Sequence, residues 1–125
     1  MISKTDLSRA EKLLRELPYM ESALVYYDSL AETPLAQKDR RILRIRRANL
    51  RDSVEAAERA LSLLTPEERK VADCLFLSPG SDLAEVCAAC AMEKSSVYRK
   101  RRRILEKVAL AVWGGGCKSL RNMIE

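Results

Sequence analysis

The sequence predicts an all-α protein in which a long N-terminal helical hairpin precedes a small domain of shorter helices. Aromatic residues make up 5% of the 125 residues and charged residues 33%, a composition that favours helices over sheets. Apolar residues recur at steps of three, four and seven through the first half of the chain. Further on, Thr65-Pro66-Glu67-Glu68 is a strong helix-start signal that separates the two parts.

The first helix is expected to begin near Thr5, with Thr5 or Asp6 as its cap. Pro18 could start a new helix or bend a continuous one, because proline lacks the N–H that a helix interior uses. The apolar series continues across Pro18 at alternating steps of three and four, which favours one long, bent helix. This series comprises Leu7, Ala10, Leu13, Leu14, Leu17, Met20, Leu24, Tyr27 and Ala31.

The second helix is expected to begin at Thr33-Pro34, with threonine as cap and proline at the first helical position. A seven-residue repeat typical of coiled-coil packing follows as far as Leu64. Residues 1–33 hold four basic and six acidic side chains, whereas residues 34–65 hold eight basic and four acidic ones. The sequence therefore predicts a coiled-coil-like arm over residues 1–64. The repeat consists of Leu43, Leu50, Ala57 and Leu64, with Val54 and Leu61 between them.

A single hairpin has one seam and buries little apolar surface, and short helices depend on tertiary packing for stability. We therefore expect a homodimer through residues 5–64, as in a four-helix bundle. The alternative is that the arm folds back on the domain that follows it. The arm also contains seven cations between Lys38 and Arg51, against Asp39 alone. These cations could contact DNA or neutralise the acidic residues of the first helix.

The second domain, residues 65–113, is expected to open with a helix capped by Thr65, with Glu68 completing the capping box. Its predicted buried face comprises Val71, Cys74, Leu75 and Phe76, and Ser78-Pro79-Gly80 ends it. At the other end of the domain, Trp113 is expected to anchor the last helix. Gly114-Gly115-Gly116 would terminate that helix, and residues 114–125 are expected to form a tail with a loose turn of helix.

Between these ends the sequence predicts two helices joined by a tight turn. Asp82 can cap the first helix, with Glu85 three residues later completing a capping box, and Ala91 to Glu93 are expected to form the turn. A basic helix is expected from Lys94 to about Val112. The predicted buried stripes are Leu83, Val86, Cys87 and Cys90 on the first helix, and Val97, Ile104, Leu105 and Val108 on the second.

The basic helix carries an unusual charge density. Residues 93–108 hold seven basic and two acidic side chains, a balance equal to the net charge of +5 on the whole chain. Most charge runs are only solvated helix faces, but five consecutive cations repel one another and weaken an isolated helix. This pattern favours double-stranded DNA as the partner. The predicted DNA-binding residues are Lys94, Ser95, Ser96, Tyr98, Arg99, Arg102 and Arg103.

The segment EVCAACAMEKSSVYRKRRRILEKV, preceded by LTPEERKVADCLFL, resembles the helix-turn-helix of region four of bacterial sigma factors. It is most similar to small phage-encoded transcriptional regulators of the ArpU and RinA type. The resemblance covers residues 64–113 and implies a sequence-specific DNA-binding regulator in the bacterial cytosol. In that family the turn usually has a glycine where this chain has Ala91, and a serine commonly stands in the place of Glu93.

In this interpretation the basic helix enters the major groove. Lys94, Ser95, Ser96 and Arg99 would approach base edges, while Tyr98, Arg102 and Arg103 would hold phosphates. Two other classes remain open. One is a DNA-packaging protein similar to a phage small terminase subunit. The other is a sigma-like factor that binds RNA polymerase and makes little contact with DNA.

Other functions find little support in the residue types. The chain has no histidine, no glycine-rich phosphate loop and no recognisable pair of nucleophile and base, so we expect neither an enzyme nor a cofactor. Cys87 and Cys90 form a CxxC, for which buried thiols are favoured over a metal or redox site. The N-terminus lacks the apolar core of a signal peptide and no run could span a bilayer, so a cytosolic protein without membrane contact is expected.

Overall fold

A computed structural model describes residues 2–78, 80 and 82–114, which form helices and connecting turns. The elements are α1 (Lys4–Ala31), α2 (Gln37–Ser62), α3 (Pro66–Ala72) with a π-helical continuation (Asp73–Leu77), α4 (Leu83–Cys90) and α5 (Lys94–Trp113). The predicted all-α class is confirmed. Within the described residues, none of the helices combines the length and apolar character that crossing a bilayer requires.

Helix α1 begins earlier than the sequence predicted, and its cap is Ser3 instead of Thr5 or Asp6. The Ser3 hydroxyl accepts a hydrogen bond from the Asp6 N–H at 3.1 Å, and the Asp6 carboxylate accepts one from the Ser3 N–H at 3.3 Å. Asp6 therefore supplies the distal half of a capping box. The helix continues through Pro18, as the apolar series predicted.

The prediction that α2 starts at Thr33-Pro34 is wrong, because α2 starts at Gln37. The Thr33 hydroxyl donates a hydrogen bond to the Leu30 carbonyl at 2.7 Å. The side chain expected to cap α2 is thus bonded to the last turn of α1. Ala36, the residue at the N-cap of α2, has no side-chain group that could take this role.

Helices α1 and α2 pack side by side in opposite directions. Near the connection between them, the Asp28 carboxylate lies 2.7 Å from the Arg47 guanidinium and 3.7 Å from that of Arg51. Asp28 thus neutralises two of the seven cations in residues 38–51. At the opposite end of the pair, Leu14 and Leu17 of α1 share a buried core with the last turns of α2. Four positions of the predicted repeat are buried there: Val54, Ala57, Leu61 and Leu64.

This core continues into the second half of the chain. It includes Phe76 of the π-helical segment and Ile104, Leu105 and Val108 of α5. The base of the α1–α2 pair is therefore packed against α5, and its far end, around residues 19–45, extends away from the core. The base of the arm thus packs on the domain that follows it. The distal half carries exposed apolar side chains at Tyr19, Val25, Tyr26, Ile42 and Ile45.

Helix α3 begins as predicted. The Thr65 hydroxyl accepts from the Glu68 N–H at 3.2 Å, and the Glu68 carboxylate accepts from the Thr65 N–H at 2.9 Å. Pro66 occupies the first helical position, where its missing N–H costs nothing. The helical segment ends at Leu77, before Ser78, as predicted. Pro79 lies outside the described residues.

Candidate nucleic-acid interface

The candidate interface is built on α4, the turn Ala91–Glu93 and α5. Asp82 caps α4 as predicted, because its carboxylate accepts a hydrogen bond from the Glu85 N–H at 2.8 Å. The predicted capping box is not completed, since within the described residues the Glu85 carboxylate accepts no bond from the Asp82 N–H. Of the predicted apolar stripe, Val86 is fully buried and Leu83, Cys87 and Cys90 are half-buried. The small residues of this stripe let α4 lie close to α5 and the π-helical segment.

The turn depends on a left-handed residue. Ala91 has φ 52° and ψ 46°, a conformation in which a β-carbon crowds the backbone. The Ala91 N–H bonds to the Ala88 carbonyl at 3.4 Å and the Met92 N–H to the Cys87 carbonyl at 3.1 Å. These bonds terminate α4 and redirect the chain into α5. Glycine, which has no β-carbon, would therefore adopt this conformation at position 91 without strain.

Replacement of Ala91 by glycine is expected to raise the free energy of unfolding by about 1 kcal/mol, since it removes the left-handed strain. Thermal or urea unfolding followed by circular dichroism would measure the change. Ala89→Gly, two residues earlier at an exposed position within α4, is the matched control. It should lower stability by about 0.5–1 kcal/mol. A loss of stability in both variants would contradict this account of the turn.

Helix α5 begins at Lys94 as predicted and ends at Trp113. Its predicted buried stripe is confirmed: Val97, Ile104 and Val108 are fully buried, and Leu105 is 2% exposed. At the C-terminal end, the Arg9 guanidinium lies 4.2 Å from the centre of the Trp113 ring, which ties this end to α1. Gly114 follows as the C-cap, and the rest of the predicted tail, residues 115–125, lies outside the described residues.

The predicted DNA-binding residues lie on the outer side of α5. Six of the seven are exposed, and Ser96 is half-buried. Their mutual contacts are weak: the Arg99 guanidinium approaches the Ser96 hydroxyl at 3.5 Å, and the Lys94 ammonium lies 6.0 Å from the centre of the Tyr98 ring. Arg102 donates a hydrogen bond to Glu106 at 3.0 Å on the exposed surface. The exposed residues are Lys94, Ser95, Tyr98, Arg99, Arg102 and Arg103.

The run of five cations at residues 99–103 is divided between two sides of α5. Lys100 lies 3.6 Å from the Glu67 carboxylate of α3. Arg101 donates a hydrogen bond to Glu11 of α1, and its guanidinium lies 6.0 Å from the centre of the Phe76 ring. Arg101 therefore ties α5 to α1, and Lys100 lies beside α3. Arg99, Arg102 and Arg103 remain together on the exposed face.

A buried carboxylate supports this face, and sequence reasoning gave it only a capping role. Glu68 is 1% exposed; it accepts a hydrogen bond from Lys107 at 2.6 Å and lies 3.4 Å from Arg103. Burial raises the pKa of Glu68, but hydrogen bonds from Lys107 and Thr65 outweigh it, so that the pKa lies below its ordinary value of 4.5. Glu68 is thus ionised at neutral pH and fixes α5 relative to α3.

The three cysteines that the structure describes do not form a recognisable metal site. Cys74, Cys87 and Cys90 are half-buried free thiols, and the described part of the chain contains no group of three or more ligand residues placed to hold a metal ion. Burial, followed by the neighbouring Cys74 thiol, raises the pKa of Cys90. A protonated thiol is a poor nucleophile and a poor metal ligand.

Comparison of the chain with models of protein families gives no match, and neither does comparison with curated proteins or with solved structures. The function is therefore inferred from the geometry of α4, the turn and α5.

Proposed function

We propose that the protein is a sequence-specific DNA-binding transcriptional regulator in which α4, the turn and α5 form a helix-turn-helix. One observation carries the proposal. Arg99, Arg102 and Arg103 lie together on the exposed face of α5, and the side chains of Arg102 and Arg103 stay 70% and 68% exposed although they pair with Glu106 and Glu68. Lys100 and Arg101 of the same run are half-buried. A face that keeps three neighbouring cations exposed, beside Lys94 and Tyr98, suits a polyanion.

The order of groups along α5 suits duplex DNA in particular. Lys94, Ser95 and Arg99 lie in the first two turns, the part of a recognition helix that approaches base edges in the major groove. Arginine can bond both acceptors of a guanine edge. Arg102 and Arg103 lie one turn further along, where phosphates flank the groove. Among the described residues Glu93 makes no capping bond to the first turn of α5, whose N–H groups can therefore also approach a phosphate.

The proposed regulator acts as a homodimer through residues 5–64 and works in the bacterial cytosol, as its resemblance to phage-encoded regulators suggests. A dimer presents two copies of α5 to two half-sites, which raises affinity and specificity together. RNA polymerase is a further proposed partner, because region four of sigma factors works in the polymerase complex.

Fluorescence anisotropy at two salt concentrations, with random duplex and with a duplex selected from a random library, tests the proposal. We expect binding that weakens as salt rises, with a preference of at least about a thousandfold for the selected duplex. Light scattering of the complex should give the mass of a dimer on DNA.

Weak binding without sequence preference would overturn the assignment as a sequence-specific regulator. Polymerase capture that survives neutralisation of Arg99 and Arg102 would then favour a polymerase-binding factor. A ring of eight or more subunits in solution would favour a DNA-packaging protein.

A further inference from the structure

Helix α1 carries a second apolar stripe that the core does not use. Tyr19, Ala23, Tyr26 and Leu30 follow one another at steps of four, three and four, the spacing of a coiled-coil seam. Tyr19 is 64% exposed and Tyr26 61% exposed, while Ala23 and Leu30 are half-buried. We name these four residues the α1 outer seam. Its length is three helical turns, all in the half of α1 beyond the packed base.

Helix α2 has a stripe of the same spacing, with two apolar residues between two polar ones. Lys38, Ile42, Ile45 and Asn49 follow the same spacing of four, three and four, and we name them the α2 outer seam. Ile42 is 41% exposed and Ile45 is 56% exposed. Exposure of large apolar side chains to water is unfavourable in free energy, and their burial in an interface is favourable. Asn49 is the kind of polar seam residue that fixes register in a coiled coil.

The two seams belong to segments of opposite charge. Residues 16–36 contain four acidic side chains and no basic one, while residues 37–51 contain seven basic side chains and one acidic one. Between these segments the described ion pairs use only Asp28, with Arg47 and Arg51. The remaining cations of the basic segment form no ion pair with another described residue: Lys38, Arg40, Arg41, Arg44 and Arg46.

We propose that the occupant of the outer seams is a second copy of this chain, and that the α1 outer seam of each copy packs against the α2 outer seam of the other. The two seams are equal in length and spacing, and their segments are opposite in charge. A twofold axis therefore satisfies both contacts at once. Pairing of like helices, α1 with α1 and α2 with α2, would instead place five exposed cations of each copy together.

This inference deepens the proposed function, since it names the surface through which the regulator dimerises. It leaves α5 uncovered, because the outer seams lie at the far end of the α1–α2 pair from the core that holds α5. The dimer and DNA contact therefore use separate surfaces, and one can be removed without the other.

Charge variants of the two seams test the pairing. Tyr26→Lys and Ile45→Glu each place a charge against a segment of the same sign, so each is expected to convert a dimer of twice 14.1 kDa into a monomer, measured by light scattering at equal concentration. Mixing the two variants should restore a dimer, because one α1–α2 contact then joins glutamate to lysine and the other is unchanged. Leu63→Glu is the matched control: Leu63 is equally exposed, at 63%, but lies outside both seams, so its variant should remain a dimer.

Several outcomes would overturn the proposal. The first is an unmodified chain that is monomeric. The second is a dimer that survives both substitutions, and the third is a mixture of the two variants that stays monomeric. The fourth is a dimer formed on mixing Tyr26→Glu with Tyr26→Lys, which would indicate that α1 packs against α1. Because the substituted residues are exposed, far-ultraviolet circular dichroism should show unchanged helix content in each variant. Monomeric variants should still bind a single half-site in a salt-dependent way. If the unmodified dimer does not bind DNA, the proposed function is refuted, but the assignment of the outer seams as the dimer interface is not.

Discussion

Replacement of Glu68 by alanine is expected to lower the free energy of unfolding by about 3 kcal/mol, as measured by urea denaturation. The change removes the carboxylate that accepts from Lys107 at 2.6 Å and from the Thr65 N–H at 2.9 Å. Lys107 then loses its partner in a half-buried position, and α3 loses half of its capping box. The ion pair of Glu68 with Arg103 adds little, because the Arg103 side chain is exposed and solvent screens its charge.

Two glutamine variants separate the causes. Glu68→Gln keeps a side chain that can complete the capping box, so its cost should be smaller than that of alanine and should report the ion pairs. Glu67→Gln removes the adjacent carboxylate, whose pair with Lys100 is exposed, and should change stability by less than about 0.5 kcal/mol. Equal effects at residues 67 and 68 would contradict the role assigned to the buried carboxylate.

The pH dependence of the free energy of unfolding gives an independent measure of how much the ionised Glu68 stabilises the fold. Its pKa is lowered in the folded state, so its contribution is complete above the ordinary value of 4.5. The contribution is lost as pH falls from there through the folded-state pKa. Glu68→Gln should flatten this part of the acid-unfolding curve and leave the slope at neutral pH unchanged.

Replacement of Arg99 by alanine is expected to weaken binding to the selected duplex by about 1–3 kcal/mol, or roughly 5- to 150-fold, and to relax specificity at one base position. Arg99 is exposed early on α5, and in the described residues its only polar side-chain contact is the 3.5 Å approach to Ser96. The thermal midpoint should therefore change little. Anisotropy titrations with selected and random duplexes give the measurement.

Arg101→Ala is the matched control within the same run of cations. Arg101 is half-buried, bonded to Glu11 and near the Phe76 ring, so its loss should lower stability by about 1 kcal/mol and change DNA affinity much less than Arg99→Ala does. An equal loss of affinity in both variants would mean that the run acts only through its total charge. A loss at Arg99 that is the same on random duplex would make Arg99 a phosphate contact.

Local signals in this sequence predicted local structure well. Thr65 with Glu68, and Asp82 with the Glu85 N–H, cap α3 and α4 as expected. The start of α5 at Lys94 was also predicted. These features depend on residues three or four positions apart, which is the range over which a helix itself brings side chains together. Where a competing local partner exists, the prediction was wrong, as at Thr33, whose hydroxyl bonds backwards to Leu30.

Long-range pairing could not be predicted in the same way. Glu68 and Lys107 are 39 residues apart, and Glu11 and Arg101 are 90 apart. Neither pair follows a helical period, and several other acidic side chains could have served as partners for the same cations. Only the packing of α1 and α3 on α5 therefore divides the cation run into two groups. The half-buried group is Lys100 and Arg101, and the exposed group is Arg99, Arg102 and Arg103. The candidate DNA-binding residues themselves stay predictions.

The continuity of α1 across Pro18 has a mechanical consequence. At its base α1 contacts the middle of α5, through Glu11 with Arg101, and its C-terminal end, through Arg9 with Trp113. Further along the same helix lies the α1 outer seam. About 42 Å of continuous helix, without an intervening turn, joins these attachments. In the proposed dimer this helix fixes the position of α5 relative to the α1 outer seam, and an operator whose half-sites are shifted by a few base pairs should be rejected.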